Sequence, residues 1–311
     1  VSMAKVNEAD EARHEPTDEQ LWNESYYYDF FAPDGSFGGY LRLGFIPNLN
    51  RVWYWACAVG PDRQLVTVVD NEVPMPADAG SLELRSDGLW ADHVIEDPLV
   101  HATCNLEAFG LRVDDPAEMY RTEPRGERVA FGFELDWESN GQAYQWPPIT
   151  PRYEIPCTVH GRVMIGKETF EVDGFGQRDH SWGASRDWWA NTWCWNAGRL
   201  EDNTRFHTTG ALLEGSDFGV GYVIDPSDEL TELEEVRVTT RLGREGLAEH
   251  ARLGFGDLDL EVTPLAFSPV LLTHPDGRLD RFPRALARFG AADGRVGHGW
   301  IEWNQPQNGD A

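Results

Sequence analysis

The chain has 311 residues, a formal net charge of −27, 41% hydrophobic and 25% charged side chains, and 13 tryptophans. That length can bury a sizeable core in one large or two medium domains. So acidic a balance excludes nucleic acid and anionic membrane surfaces as partners, because phosphate binding needs clustered Lys and Arg.

In chain order, residues 1–18 (VSMAKVNEADEARHEPTD) are polar, charged and aperiodic, and read as a flexible N-terminal arm. They carry no charged-then-apolar leader, and no apolar run approaches the ~20 residues of a membrane span, so a cytoplasmic protein without membrane insertion is expected. Strand signals follow. YYYDFF breaks at Pro33, Asp34 and Gly35, GGYLRLGF alternates as far as Pro47 and Asn48, and RVWYWACAV comes next. QLVTVVDNEV, SLELRSDGLWADHV and HATCNLEAFGLRVD continue the pattern. Helical signal is thin: DDPAEMYR predicts one or two turns, DELTELEEVRVTT a helix running into a strand, and residues 283–288 (PRALAR) another short helix.

The chain is therefore all-β, with antiparallel meanders that should close into barrels or pack as sandwiches, because open edges invite aggregation. Two features suggest a doubling: the Pro-rich segment WPPITPR (146–152), and an echo between VWYWACAVG (52–60) and NTWCWNAGR (191–199). In each echo a W-x-W pair sets both indoles on one face of a strand. Cys57, Cys104, Cys157 and Cys194 are widely spaced in apolar contexts and form no CxxC pair, which predicts buried free thiols rather than disulfides or zinc ligands.

Residues 174–195, GFGQRDHSWGASRDWWANTWCW, mix charge with tryptophan as no other segment does. With period two, Gln177, Asp179 and Ser181 share one face of a strand, and Arg178, His180 and Trp182 the other. The structural reading makes Asp179 the buried partner of Arg178 or Arg186, locking a corner. The functional reading puts the Asp179 carboxyl in an aromatic, water-poor pocket, where desolvation lets it act as a general acid, with His180 as second acid–base group or as the residue that orients it. Indole faces nearby would stabilise a developing cation. No GxSxG, HExxH, helix-opening GxGxxG or GxxxxGK[ST] occurs. His93, His101, His160, His207, His274 and His298 are scattered singles, so neither metal nor cofactor is expected.

The element GFGQRDHSWG, the WW and WxW that follow it, the NESYYYDFF opening and the late GHGWIEWN resemble the AttH-like and carotenoid hydratase-related superfamily over about residues 20–305. The resemblance implies two tandem lipocalin-like (calycin) β-barrels with few short helices, here residues 19–184 and 185–306, with the RD element near their junction. Members include hydratases that add water to isolated prenyl double bonds and cyclases that fold polyenes in an inter-barrel cavity. Asp179 matches the aspartate proposed to protonate the alkene; where the hydratases place a Tyr two residues earlier, this chain has Gln177.

The function expected from that likeness is a cofactor-independent hydratase or cyclase, a lyase or isomerase that protonates a C=C bond of a hydrophobic prenyl-, polyene- or steroid-like substrate. Asp179, His180 and Glu302 are its candidate catalytic residues. Gln177, Trp182, Trp189, Trp193, Trp195 and Tyr153 are the candidate substrate contacts, with Glu154 beside Tyr153. The alternative is a non-catalytic lipocalin-like carrier of a hydrophobic small molecule. The sequence leaves a homodimer open.

Overall fold

The computed structural model describes residues 6–184, 188–212 and 215–304, and the architecture is that of these residues. The alternating opening NESYYYDFF is the strand Asn23–Phe31, and it is the keel of the first sheet. It pairs antiparallel with Gly38–Ile46, placing Tyr27 opposite Arg42, and with Glu168–Gly183, placing Tyr27 opposite Asp179. Onward from these run Arg51–Gly60 and Arg63–Pro74 on one side, and Arg152–Ile165, Glu127–Ser139 and His101–Val113 on the other. Leu65–Thr67 then pairs with residues 111–113, so these eight strands close into a barrel without edges. Leu89–Asp97 and Leu84–Ser86 extend the sheet as a flap from His101–Val113.

A second, nine-stranded sheet spans Trp193–Leu200 through Val296–Asn304. Its two outer strands, Leu230–Glu235 and Arg237–Leu242, are consecutive in sequence and separated only by Val236. Val236 is fully buried and its N–H bonds Asp217 O at 2.9 Å, so the sheet curls until its edges meet. Gly219 permits the closure, because a Cβ there would collide with Val236. The fold is thus all-β, two lipocalin-like barrels in tandem, with a small hairpin (Val270–Thr273 and Leu279–Phe282) laid against them.

Each strand of the junction feeds two cores. Tyr26, Tyr28 and Phe30 fill the first barrel, while Tyr27 and Phe31 face the second. Phe206, Leu253 and Phe289 fill the second barrel. Between the barrels lies a third, aromatic core that holds both W-x-W pairs, Trp53 with Trp55 and Trp193 with Trp195. Two hydrogen bonds stitch it: Tyr40 OH donates to Ser268 O at 3.1 Å and Trp300 Nε1 to Phe30 O at 3.0 Å. All four cysteines are buried free thiols. None of the described helices is long and apolar enough to cross a membrane.

Three sequence expectations change. DELTELEEVRVTT is two strands, not a helix, with only Leu233 and Val236 of its residues 230–236 buried. PRALAR belongs to the strand Arg284–Ala291: Ala285 and Ala287 face the second barrel while Leu286 faces the junction, so an apolar run that looks helical is a strand buried on both faces. Residues 6–14 are not a loose arm. They form a short 3-10 turn, Glu8–Glu11, held on the first barrel by Tyr26 OH donating to Glu11 O and by Glu11 pairing with Arg178 at 3.0 Å. DDPAEMYR does make one turn, Pro116–Tyr120, capped by the Asp115 carboxylate.

Candidate active site

Alternation along Glu168–Gly183 sends neighbouring residues of the RD element to different places. Gln177 and Asp179 point at the second barrel; Arg178, His180 and Trp182 point into the first. On the adjoining strand Arg152–Ile165, Tyr153 points inward and Glu154 outward, directly opposite Asp179 in the register. Two carboxyl groups facing each other across a ladder repel. Arg152 relieves this by lying between them, with Nε donating to Glu154 Oε1 at 2.7 Å and Nη2 to Asp179 Oδ2 at 2.8 Å. Asp179 therefore pairs with Arg152, not with Arg178, which is turned inward onto Glu11. Arg186 lies outside the described residues.

Glu154 is wholly buried and richly bonded. Oε2 accepts Gln177 Nε2 at 2.9 Å, and Oε1 accepts Trp195 Nε1 at 3.1 Å; Gln177 Oε1 in turn accepts Tyr222 OH at 3.0 Å. Burial nevertheless pushes the Glu154 carboxyl up to about 8, aided by the Asp179 charge and opposed by Arg152 and these donors. The histidine beside it agrees. Burial, with the Arg152 charge, holds His207 well below the usual imidazole range, and Nδ1 lies 3.1 Å from Asn196 O, which can only accept. Nδ1 of the neutral ring carries the hydrogen, so Nε2 presents a lone pair to Glu154 Oε1 at 3.3 Å, an approach that a protonated Glu154 satisfies. A second buried acid, Asp29, accepts Gln177 N at 2.9 Å and Tyr27 OH at 3.1 Å, and burial raises it well above the usual carboxylate range.

Asp179 borders a chamber of about 20 Å³, enough for one water-sized guest, whose other walls include Ser25, Tyr27, Trp195, Arg284 and Glu302. Arg152, Trp188 and Glu302 border both this chamber and a cleft of about 310 Å³ that opens outward between the barrels. The cleft walls are largely apolar: Trp146, Ile149, Trp193, Ala211, Phe218 and Val220. Ile149 and Phe218 stand 48% and 58% exposed at its rim, as entry surfaces for an apolar guest do. Glu302 is held by Arg284 Nη2 at 2.9 Å, and that guanidinium lies 4.0 Å from the Tyr40 ring centre.

Of the residues singled out in the sequence, the structure gathers Gln177, Asp179, Trp193, Trp195 and Glu302 here. It does not gather His180, Trp182 or Tyr153. His180 neither touches nor orients Asp179: it stacks on Tyr26 at 3.9 Å with Nε2 facing Glu24 Oε1, Trp182 stacks on His14 at 3.8 Å, and Tyr153 meets His180 edge-on. Period two separates them from the cleft by the thickness of the sheet. Trp189 packs on Trp53 and His274, and its neighbour Trp188 lines the cleft instead. Arg152, Asp29, His207, Tyr222 and Arg284 carried no sequence signal beyond their residue type, since only strand register assembles them.

The fold and the site together are those of two tandem lipocalin-like β-barrels with an aromatic junction and an acid pair beneath it. The chain belongs to the family described as a domain of unknown function, DUF7064, whose model matches residues 7–307. Its structure is similar to a Nitrosomonas europaea protein described provisionally as AttH (TM-score 0.68, 13% identity, 98% of each chain). It is also similar to CghA (TM-score 0.58, 12% identity, 94% of this chain and 90% of that one) and to kievitone hydratase from Nectria haematococca (TM-score 0.55, 12% identity, 97% and 94%). No curated protein matches the sequence.

Proposed function

We propose that this protein is a cofactor-independent lyase or isomerase of the hydratase or cyclase type, acting on a hydrophobic prenyl-, polyene- or steroid-like substrate held in the cleft between two units, residues 19–184 and 185–306. The observation that carries the reading is a wholly buried carboxyl, Glu154, which burial pushes toward its protonated form, opposite a carboxyl that faces a water-sized chamber, Asp179, at the end of an apolar cleft. In this reading Glu154 supplies the proton that Asp179 delivers. Asp179 passes it to one carbon of the C=C bond, whose π electrons form the new C–H bond and leave a cation on the other carbon. The faces of Trp188, Trp193 and Trp195 stabilise that cation, and the scarcity of water protects it. Water attacks and gives its surplus proton to Glu302, or an internal alkene attacks, closes a ring and leaves a new cation, which loses a neighbouring C–H proton to Glu302 as its C=C bond forms.

The reading is supported by the likeness to one neighbour named for hydratase chemistry, kievitone hydratase. A second reading, a carrier without chemistry, is favoured by one observation: both carboxyls at the chamber are paired with an arginine of their own barrel, an arrangement that also serves structure alone. Incubating prenylated and polyene compounds with the protein in deuterium oxide separates the two. The enzyme installs deuterium on an alkene carbon, and Asp179→Asn abolishes this while the fold persists. A carrier binds the same compounds and returns them unlabelled.

A further inference from the structure

The inward face of Glu168–Gly183 holds a second cluster that the cleft chemistry does not use. His14 Nδ1 lies 2.8 Å and His180 Nε2 3.1 Å from the same oxygen, Glu24 Oε1, and the three atoms fall within 4.8 Å of one another. The His180 ring is oriented from behind: Nδ1 is 2.7 Å from Asp10 O, a carbonyl that can only accept, so Nδ1 carries the hydrogen. Nε2 then faces Glu24 Oε1 at 3.1 Å, and the position between them is filled by a proton or by a metal cation. A cation between them satisfies both. Bonds of about 2.0–2.2 Å to one ion set tetrahedral ligand atoms about 3.3–3.6 Å apart, so the 2.8 and 3.1 Å from Glu24 Oε1 to the two ring nitrogens widen by a few tenths of an ångström to admit one.

The surroundings are those of a built site. The Asp10 carbonyl orients one imidazole, Arg13 Nε holds Glu24 Oε2 at 2.7 Å, and the His14 backbone N–H donates to Glu24 Oε1 at 2.9 Å, which fixes the carboxylate with Oε1 toward both rings. Tyr26 stacks on His180 and Trp182 on His14, which fixes both rings. Glu24 and His180 are buried, while the His14 side chain is 23% exposed and gives a route from solvent.

We propose that His14, Glu24 and His180 bind a divalent first-row transition cation of the zinc type, which clasps residues 6–14 onto the first barrel. Two imidazoles and one carboxylate suit that class and not calcium or magnesium, which favour oxygen ligands alone. The site lies on the opposite face of the strand from Asp179 and does not depend on the cleft being catalytic. Sequence spacing gives no hint of it, because its three ligands are separated by 10 and 156 residues.

The test is calorimetric titration of ZnCl₂ into the chelator-stripped full chain, with a chromophoric chelator as competitor. One zinc per chain is expected, weakened about 100-fold or more in His180→Ala and in Glu24→Gln, since even outer contacts of such sites are worth 10–100-fold. His101→Ala, which removes a surface histidine paired with Asp136, keeps the zinc. Because His180→Ala opens a buried hole, His14→Ala serves as the folded control, confirmed by circular dichroism, and loss of zinc from it supports the site. Hydrogen exchange adds a second readout: zinc slows exchange across residues 6–14 in the native chain and not in His14→Ala. No tight zinc in the native chain means that protons alone bridge the cluster and overturns the proposal. Binding unchanged in both His14→Ala and His180→Ala overturns it as well.

Discussion

Two glutamates, both wholly buried and each one strand away from the RD element, have opposite characters. Glu24, on the inward side, is driven up by burial but brought down to about 2 by hydrogen bonds and charge from His14, His180 and Arg13. Glu154, on the junction side, is pushed up to about 8, because its one arginine is shared with Asp179 and its histidine stays neutral. Neither carboxyl reaches solvent, but Glu154 lies the deeper of the two, and the ratio of cations to carboxyls differs as well. One strand, by alternating, thus serves an anion clasped for structure on one face and a stored proton behind an apolar cleft on the other.

The largest effect should come from removing the shared cation. Arg152→Met leaves two buried carboxyls face to face and should cost about 3–5 kcal/mol in urea unfolding, the usual penalty for breaking a buried pair. Next, Glu24→Gln weakens the charge-assisted bonds to Arg13 and the two histidines. A loss of about 1.5–3 kcal/mol is expected, with faster proteolysis of residues 6–14, while the cleft is untouched. A cost from Arg152→Met no larger than that of a surface substitution would break the contrast.

The pH dependence sharpens it. Glu154 is protonated more readily folded than unfolded, so its contribution is complete below the ordinary glutamate range, near 4.5, and is lost as pH rises through about 8. Melting temperature should fall on that alkaline limb in the native chain, and Glu154→Gln should flatten the limb; Asp29, raised by the same burial, accounts for what remains. The smallest effect is at the rim. Phe218→Ala removes an exposed ring, changes stability by about 0.5 kcal/mol or less, and lowers binding of an apolar fluorescent dye severalfold.

How far these features were legible depends on whether they are local. The division of residues 177–182 between two faces follows from strand period alone, and the W-x-W pairs announce a shared aromatic face before any partner is known. The partner of Asp179 was not legible, because Arg152 is brought beside it only by the register of Arg152–Ile165 against Glu168–Gly183, and it sits at the end of a segment that reads as a Pro-rich linker. The arm misleads for the same reason. Its charged residues look solvated, yet Glu11 and His14 find Arg178 and Glu24 through the barrel's closure. PRALAR misleads differently, since a strand buried on both faces loses the alternation by which strands are recognised.

The most direct measurement is carbon NMR of the protein labelled at its glutamate side-chain carboxyls. At neutral pH one resonance should have the shift of a protonated acid, titrate near 8, and vanish in Glu154→Gln. If every glutamate carboxyl is already ionised at neutral pH, no proton is stored behind the cleft, and the acid pair is only a fastener between two barrels.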